Sequence, residues 1–489
     1  MNRSQKEEML SRRRFLRLLA VGAGGSLLAA CGGANPPAVE PSGGAAPATS
    51  APAATAAAAA TSAPAAAPAA TSAPAATAAP AASGGAVKLT VMYQQNELSD
   101  DEVKQFIDAN PEIAVERIDS DATKFKAMLT AGTPPDLFRT QGPQVPNLVE
   151  RKIVLDLNDY FQSSSVLKLD DLAPANGLYV YKGGRYGMAK DWSPDFNLFI
   201  SKPAFEEAGI PLPSTTEPLR YSDMPALAKK LTKREGDRTT RMGWGNPEGL
   251  TVVRTLQIVL AEQDQNLYKP DFTAIALADN PKAVEFLKYV YDLAKENVTW
   301  NPLNPSPSWA GDDFVKGQVG MVQYGYWFSG MVSTTKDAAV GGDKTLFLPA
   351  PTWSGKPLNP TISGTGMVMA KATKNPDAAW KFFEYYMAGA PAQTRAKSGW
   401  GVPPLKSLYP QMPQETDFQK QVQQVLQDSL KYADYALAAN PYYDDSVFDT
   451  SWTSNLEQVM RGSISFDQLI QNVENDVNAA ISDGKAAIG

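Results

Sequence analysis

The feature that most constrains this chain is a tract of 55 residues, 32–86, made almost entirely of Ala, Pro, Thr, Ser and Gly. Its TSAPAA-type repeats offer no large apolar side chain to offset the entropy lost on ordering, and its prolines interrupt any long helix. As a flexible coil the tract spans ~40 Å, and in proline-stiffened extension it reaches ~170 Å. We therefore expect residues 31–86 to form a disordered tether between a leader and a folded body.

The leader, residues 1–30, has the pattern of a signal peptide. Its basic block SRRRFLR precedes an apolar run, Leu18–Ala30, that is too short to span a bilayer stably. The block resembles a twin-arginine export motif, with general export left open. Leu28-Ala29-Ala30-Cys31 resembles a bacterial lipobox, in which the cysteine is lipidated and becomes the first mature residue. The alternative for Cys31 is an ordinary buried cysteine in a signal-anchor helix.

Two residue counts exclude much enzyme chemistry. The chain has no histidine and one cysteine, which excludes Ser-His-Asp and Cys-His arrangements, imidazole metal sites, zinc clusters and intrachain disulfides. A Walker-type loop and a G-x-G-x-x-G turn are also missing from the sequence, so we expect no cofactor and no metal. Residues 1–30 carry +4 of the overall −7, which leaves −11 for the rest. An acidic body argues against nucleic-acid binding.

The body, residues 87–489, alternates strand and helix signals. The stretch 87–93 alternates apolar and polar side chains as a strand does, and Ser99 with Glu102 forms a capping box for the helix that follows. A second strand begins at Ile113. Further helices are predicted from Asn280-Pro281 and Asn375-Pro376, and a hairpin is predicted at 181–186. Further strands are predicted at 318–322, 345–348 and 366–370. The pattern predicts an α/β body.

Segments along almost all of this body resemble the family 1 extracellular solute-binding proteins, the maltose-binding-like receptors of ABC importers. Each segment is a weak signal alone, and their order and spacing carry the resemblance. They are TPPDLF at 133–138, YGM at 186–188, FISK at 199–202, FEEAGIP at 205–211, FVKGQVGM at 314–321, GYW at 325–327, SGTG at 363–366 and GWGVP at 399–403. The chain departs from the family where Phe199-Ile200-Ser201 replaces Tyr-Tyr-Asn and Thr215-Thr216 replaces Thr-Trp.

The resemblance implies a two-lobed periplasmic-binding-protein type II fold, with a cleft between the lobes and hinge crossings that join them. Lobe 1 would combine about 87–195 with 345–398, and lobe 2 about 198–343 with 400–489. Closure on a ligand would then be a hinge motion towards a state that the ligand prefers.

A sugar-binding cleft needs flat aromatic faces together with groups that satisfy hydroxyls. The expected ligand-binding residues are Gln94, Asn96, Gln141, Trp192, Asp195, Trp244, Glu248, Tyr324, Trp327, Gly364, Thr365 and Trp400. For the aromatic members the alternative is packing in a lobe core or hinge, and for the polar members it is a solvated loop. Trp327 matches the family's cleft tryptophan, Trp380 is expected in the core, and Trp300 and Trp309 stay unassigned.

The leading function is therefore a monomeric lipoprotein that binds a mono- or oligosaccharide and delivers it to an ABC permease. It would be exported and held at the outer face of the cytoplasmic membrane through Cys31. One alternative is a binding protein for another solute, such as a polyamine, an amino-acid derivative or an oxyanion. A surface glycosidase is a further alternative, but no pair of carboxylates in the sequence is distinctive enough to indicate one.

Overall fold

The computed structural model describes residues 86–488 apart from 248, 250 and 434–436. The expected signal peptide, Cys31 and the tether lie outside the described residues, and so does Glu248. In the described part of the chain, none of the helices combines the length and the apolar character that a membrane crossing requires.

The strands are short and fall into two main sheets and one hairpin. Their bounds are β1 Val87–Met92, β2 Ile113–Ile118, β3 Leu137–Gln141, β4 Val180–Tyr181, β5 Gly184–Arg185, β6 Gly187–Ala189, β7 Leu198–Ser201, β8 Lys233–Glu235, β9 Arg238–Trp244, β10 Val319–Gln323, β11 Thr345–Leu348 and β12 Thr365–Met369.

Helices cover the sheets and fill the space between the strands. Their bounds are α1 Asp100–Ala109, α2 Ala122–Thr130, α3 Val145–Glu150, α4 Asn158–Ser163, α5 Lys202–Glu207, α6 Met224–Leu231, α7 Val252–Ala261, α8 Pro281–Lys295, α9 Ala310–Val315, α10 Phe328–Thr334, α11 Pro376–Ala388, α12 Ala390–Ser398, α13 Asp417–Ser429, α14 Ser446–Met460 and α15 Phe466–Ile488.

The first sheet has the order β2-β1-β3-β12-β6 and forms the centre of the first lobe. Strands β1, β2 and β3 are parallel, whereas β12 runs antiparallel to both β3 and β6. Asp136 fixes the middle of this sheet, because its carboxylate accepts hydrogen bonds from Thr90 N at 2.8 Å and Thr373 Oγ1 at 2.5 Å. Trp380 packs on this sheet between Phe161 and Phe383, as expected for a core residue.

The second sheet has the order β11-β7-β10-β9-β8 and forms the centre of the second lobe. Strand β10 is parallel to β9 and antiparallel to β7. The edge strand β8 is exposed at all three of its residues, Lys233, Arg234 and Glu235. A separate core beneath α7, α8, α14 and α15 completes this lobe.

Two lobe boundaries differ from the sequence expectation. Residues 345–348 were assigned to lobe 1, but β11 pairs along its length with β7 and so belongs to the second sheet. Lobe 2 was expected to resume at 400, but Leu405 and Leu408 pack in the first-lobe core. Ala173 N also donates to Pro404 O at 2.8 Å. The chain therefore stays with the first lobe through this turn and joins the second lobe at α13.

Local capping signals predicted the helix starts well. Ser99 and Glu102 form the expected capping box, and the Asn280 side chain accepts hydrogen bonds from Lys282 N and Ala283 N. Asn375 also precedes a helix, but its side chain does not cap α11. Instead, its backbone N–H donates to Thr373 Oγ1 at 3.3 Å. The expected hairpin is formed by β4 and β5.

The segments that connect the lobes are hydrogen-bonded to one another. Trp192 and Val402 exchange both backbone hydrogen bonds, at 3.1 and 2.7 Å. Asp195 N donates to Pro360 O at 3.1 Å, and Phe196 N donates to Asn359 Oδ1 at 2.9 Å. These contacts tie three connecting segments into one hinge.

Candidate functional site

Both sheets present strand ends at the hinge. In the first sheet β12 starts at Thr365, just after a connecting segment, and the antiparallel β3 ends beside it at Gln141. In the second sheet β7 starts at Leu198, also after a connecting segment, and the antiparallel β10 ends beside it at Gln323. Loops at such strand ends are the usual ligand sites of open α/β sheets. The topology therefore directs two sets of loops to the same region.

The first-lobe loops bring polar side chains to this edge. The Gln94 side chain is partly buried and its Oε1 has no hydrogen-bond partner among the described residues, while Asn96 is exposed. Gln141 pairs with Thr365, and Gly364 is buried, with its carbonyl accepting a hydrogen bond from the Tyr179 hydroxyl at 2.8 Å. The structure brings these expected residues together.

A buried network of charges lies directly behind these loops. Glu97 accepts hydrogen bonds from Arg139 Nε at 2.6 Å and Nη2 at 3.1 Å, and Lys190 Nζ lies 3.6 Å from Glu97 Oε1 and bonds to Asp191. Burial acts to raise the pKa of Glu97, but Lys190 and Arg139 outweigh it and lower that pKa. Burial acts to lower the pKa of Lys190, and Asp191 and Glu97 outweigh that effect and raise it. Both directions favour the charged forms of Glu97 and Lys190.

Asp191 is the member of this network that is nearest to solvent, with 20% of its side chain exposed. The sequence pattern indicates its neighbour Trp192 and gives no sign of Asp191. Successive side chains of an extended segment point to opposite sides. Trp192 is 4% exposed and its Nε1 donates to Pro403 O at 3.2 Å. Trp192 therefore packs inside the hinge, as the alternative reading had it, and Asp191 replaces it as a candidate contact.

Asp195 is also buried in the hinge and does not present its carboxylate to solvent. It is 1% exposed. Its carboxylate accepts hydrogen bonds from Ser193 Oγ at 2.6 Å, Ile362 N at 2.9 Å and the Thr361 and Ser363 hydroxyls, both at 3.3 Å. Burial raises the pKa of Asp195, and these hydrogen bonds partly offset the rise. The side chain joins two connecting segments, which leaves it little capacity for a solute.

Trp244 was expected in the cleft, and the structure contradicts this. Its side chain is 0% exposed and packs in the second-lobe core with Tyr221, whose ring centroid is 6.1 Å away. The flanking glycines suggested a loop, yet Gly243 lies within β9, and a Cβ there would collide with the Ala228 carbonyl of α6. Close approach of helix and strand, not loop geometry, requires glycine here.

An aromatic group lies at the end of β10. Tyr324 N donates to Asn197 O at 2.9 Å, which holds the loop against the hinge. Tyr324 is 5% exposed and packs under Trp327 at 5.3 Å, whereas Trp327 is only partly buried. Trp309, unassigned from sequence, also joins the group, with its ring 5.5 Å from Tyr324. Since Trp309 precedes α9 in a Pro- and Ser-rich loop, the local sequence carried no sign of this contact.

Trp400 is the most exposed of the expected aromatic residues, at 41%. It borders a cavity of about 240 Å³ that is also lined by Tyr326, Gly330, Lys397 and Phe418. The cavity lies where the turn after α12 meets α10 and α13 of the second lobe. Trp400 thus retains a free apolar face beside the hinge.

The lobes also touch outside the connecting segments. Asn147 Nδ2, on α3 of the first lobe, donates to Pro441 O at 2.9 Å. The segment around Pro441 is held to the second lobe, because Asn440 Nδ2 donates to Phe272 O at 2.9 Å and Tyr443 packs in the α7–α8–α14–α15 core.

Comparisons with known proteins agree with the two-lobed fold. A family model described as bacterial extracellular solute-binding protein matches residues 96–394. No curated protein matches the chain in sequence.

Solved structures with the same fold are numerous. An ABC substrate-binding protein from Listeria monocytogenes in complex with cycloalternan shares 22% identity and a TM-score of 0.68, over 81% of this chain and 100% of that one. An ABC transporter solute-binding protein from Thermotoga lettingae with bound α-D-tagatose shares 19% identity and a TM-score of 0.64, over 81% and 100%. One from Agrobacterium vitis with bound D-mannitol shares 18% and 0.64, over 82% and 99%.

Proposed function

The chain belongs to the bacterial extracellular solute-binding protein family, and we propose that it is the substrate-binding component of an ABC importer that binds a carbohydrate between its lobes. The observation that carries the proposal is the pairing of partly exposed aromatic rings on one lobe with polar side chains on the other. Trp327 offers an apolar face for the C–H side of a pyranose. Gln94, Gln141 and Asp191 offer groups for its hydroxyls.

The proposal retains the other ligand contacts that were expected from the sequence. Asn96, Gly364, Thr365, Tyr324 and Trp400 border the hinge on one side or the other, and Glu248 stays a candidate from sequence. The saccharides and the polyol named for the structural relatives support a carbohydrate as the solute class. Delivery would require docking of the closed protein on the permease, and binding would occur without chemical change to the solute.

The protein is further proposed to act as a lipid-anchored monomer outside the cytoplasmic membrane. The family is extracellular, and the lipobox-like Leu28–Cys31 supplies a site for lipid attachment. The tether of residues 32–86 would give the body freedom to reach a permease over tens of ångströms.

The proposal is tested on residues 87–489, whose hydrophobic cores are built within that range. The thermal unfolding temperature and tryptophan fluorescence are measured against a panel of neutral mono- and oligosaccharides and polyols. We expect at least one to raise the unfolding temperature by several degrees, since a ligand at 100 times its Kd adds ~2.7 kcal/mol. A response to amino acids or anions alone would overturn the carbohydrate assignment, and release of cleaved product would contradict a pure binding role.

A second candidate, an anionic solute, is favoured by one observation. Arg395 packs over the Tyr386 ring at 4.3 Å and donates from Nη2 to Tyr386 O at 2.7 Å. Its Nε and Nη1 are buried with no hydrogen-bond partner among the described residues. Because buried guanidinium groups favour anions, the panel also contains uronic acids and small oxyanions.

A further inference from the structure

Trp309 and Trp327 form a pair of offset, nearly parallel rings. Their planes differ by 20° and their centroids lie 6.2 Å apart, within the range of offset stacking rather than full overlap. Both side chains are only partly buried. Each indole can therefore leave part of a face uncovered.

Neighbouring aromatic side chains hold the Trp309–Trp327 pair in place. Tyr324 packs at 5.5 Å from Trp309 and 5.3 Å from Trp327, and Phe328 packs at 6.1 and 5.7 Å from them. Gly311 makes room for Trp309, because a Cβ at Gly311 would collide with the six-membered part of the indole. The orientation of Trp309 is thus set before any ligand binds, which reduces the entropy lost on binding.

The pair also lies beside the hinge. Trp327 is two residues after Gly325, whose Cβ position is filled by Ser193 and Asp195 of a connecting segment. Trp309 stands directly before α9, and it reaches the same place through its stacking on Trp327. The two rings therefore form one aromatic surface beside the hinge.

We infer that Trp309 is a second stacking residue and that the solute contains at least two linked sugar rings, one against Trp327 and the next against Trp309. This inference rests on the proposed carbohydrate-binding function. Two partly exposed indoles can each offer an apolar face to one pyranose ring, whereas a monosaccharide would leave one indole unused.

The test compares matched saccharides of increasing length with residues 87–489. The probes are glucose, maltose and maltotriose, and mannose, mannobiose and mannotriose, and the Kd of each is measured by titration calorimetry. For the better-bound series, we expect wild-type protein to bind the disaccharide at least tenfold more tightly than the monosaccharide. Trp309→Ala is expected to reduce this ratio to below threefold and to leave the monosaccharide Kd within threefold of wild type.

Two further variants separate stacking from packing. Trp309→Leu keeps an apolar side chain against Phe328 but has no flat ring. It should therefore lose the preference for the disaccharide over the monosaccharide, as Trp309→Ala does. Trp353→Phe, in the second-lobe core beside Tyr289 and Phe286, is the matched control and should keep that preference.

The outcomes are distinguishable. Equal weakening of both saccharides by Trp309→Ala would show that Trp309 only supports Trp327 and would overturn the inference. Equal wild-type affinity for mono- and disaccharide would also overturn it while leaving the proposed function intact. Absence of any response across the full panel of saccharides and polyols would contradict the proposed function itself.

Discussion

Asp195 shows how a single residue can hold a hinge without an opposite charge. The hydrogen bonds described for its carboxylate come from neutral donors, two of them from Ser193 and Ile362 on different connecting segments. The residue was expected to contact solute because it lies in a loop between the lobes. Its burial instead makes it a structural link whose ionisation is costly.

The raised pKa of Asp195 predicts a pH-dependent contribution to stability. Because the folded state holds the proton more tightly than the unfolded state, this contribution is present below the unfolded pKa of ~3.9. It is lost as pH rises through the folded pKa, with a slope of up to ~1.4 kcal/mol per pH unit. Asp195→Asn keeps an acceptor and removes the titration, so it should gain stability relative to wild type as pH rises.

Urea unfolding of wild type and Asp195→Asn between pH 4 and 7 measures this difference. Asp159→Asn, at an exposed position of α4, is the control and should show a much smaller change. A difference between wild type and Asp195→Asn that stays constant with pH would contradict a raised pKa at this site.

The loop after β10 couples the hinge to the aromatic rings. Its backbone lies so close to Ser193, Pro194 and Asp195 that only glycine fits at 325. The next residues place Tyr326 against α13, where Gln423 Nε2 donates to the Tyr326 hydroxyl at 3.0 Å. Movement of this loop would therefore displace both the hinge and the rings.

Replacing Gly325 with alanine is expected to lower the free energy of unfolding by about 1–3 kcal/mol, because the added methyl group overpacks this contact. It should also weaken solute binding, because Trp327 would shift. Gly177→Ala is the control, since a Cβ at Gly177 meets open space. Chemical unfolding and calorimetry measure the two effects, and an unchanged Kd in Gly325→Ala would separate the loop from the solute site.

At the scale of the whole molecule, the body and its expected anchor are separate in the sequence. The described cores draw on residues from 89 onwards, and 55 residues separate Cys31 from residue 87. Nothing in the packing of the body requires a thiol, so attachment and binding should be separable by mutation.

Cys31→Ser is therefore expected to release the protein from membranes or block its processing, without changing the Kd of the body beyond twofold. Fractionation and metabolic labelling with a fatty acid measure attachment, and calorimetry measures binding. Retained lipid labelling in Cys31→Ser would contradict the lipobox interpretation, and lost solute binding by the full-length Cys31→Ser protein would contradict the separation.

The sequence predicted most of what depends on local signals. Strand alternation and helix caps are encoded within a few residues, which explains the match at β1, β2, α1 and α8.

The candidate site was harder to predict, because a linear pattern does not say which side of an extended segment faces solvent, as Asp191 and Trp192 show. The glycines around Trp244 indicated a loop because their actual cause, contact with α6, is distant in sequence. Trp309 reached the aromatic group through tertiary packing alone.

The exposed edge strand β8 has a consequence for a protein held at a surface. If the protein is anchored as proposed, its copies would share a thin layer at high local concentration, where open sheet edges invite strand addition between neighbours. Lys233, Arg234 and Glu235 would have to lose hydration for such pairing to occur, and in a parallel, in-register pairing each would face its own like charge. The charged edge would therefore disfavour strand pairing between anchored copies and so oppose their association into fibres.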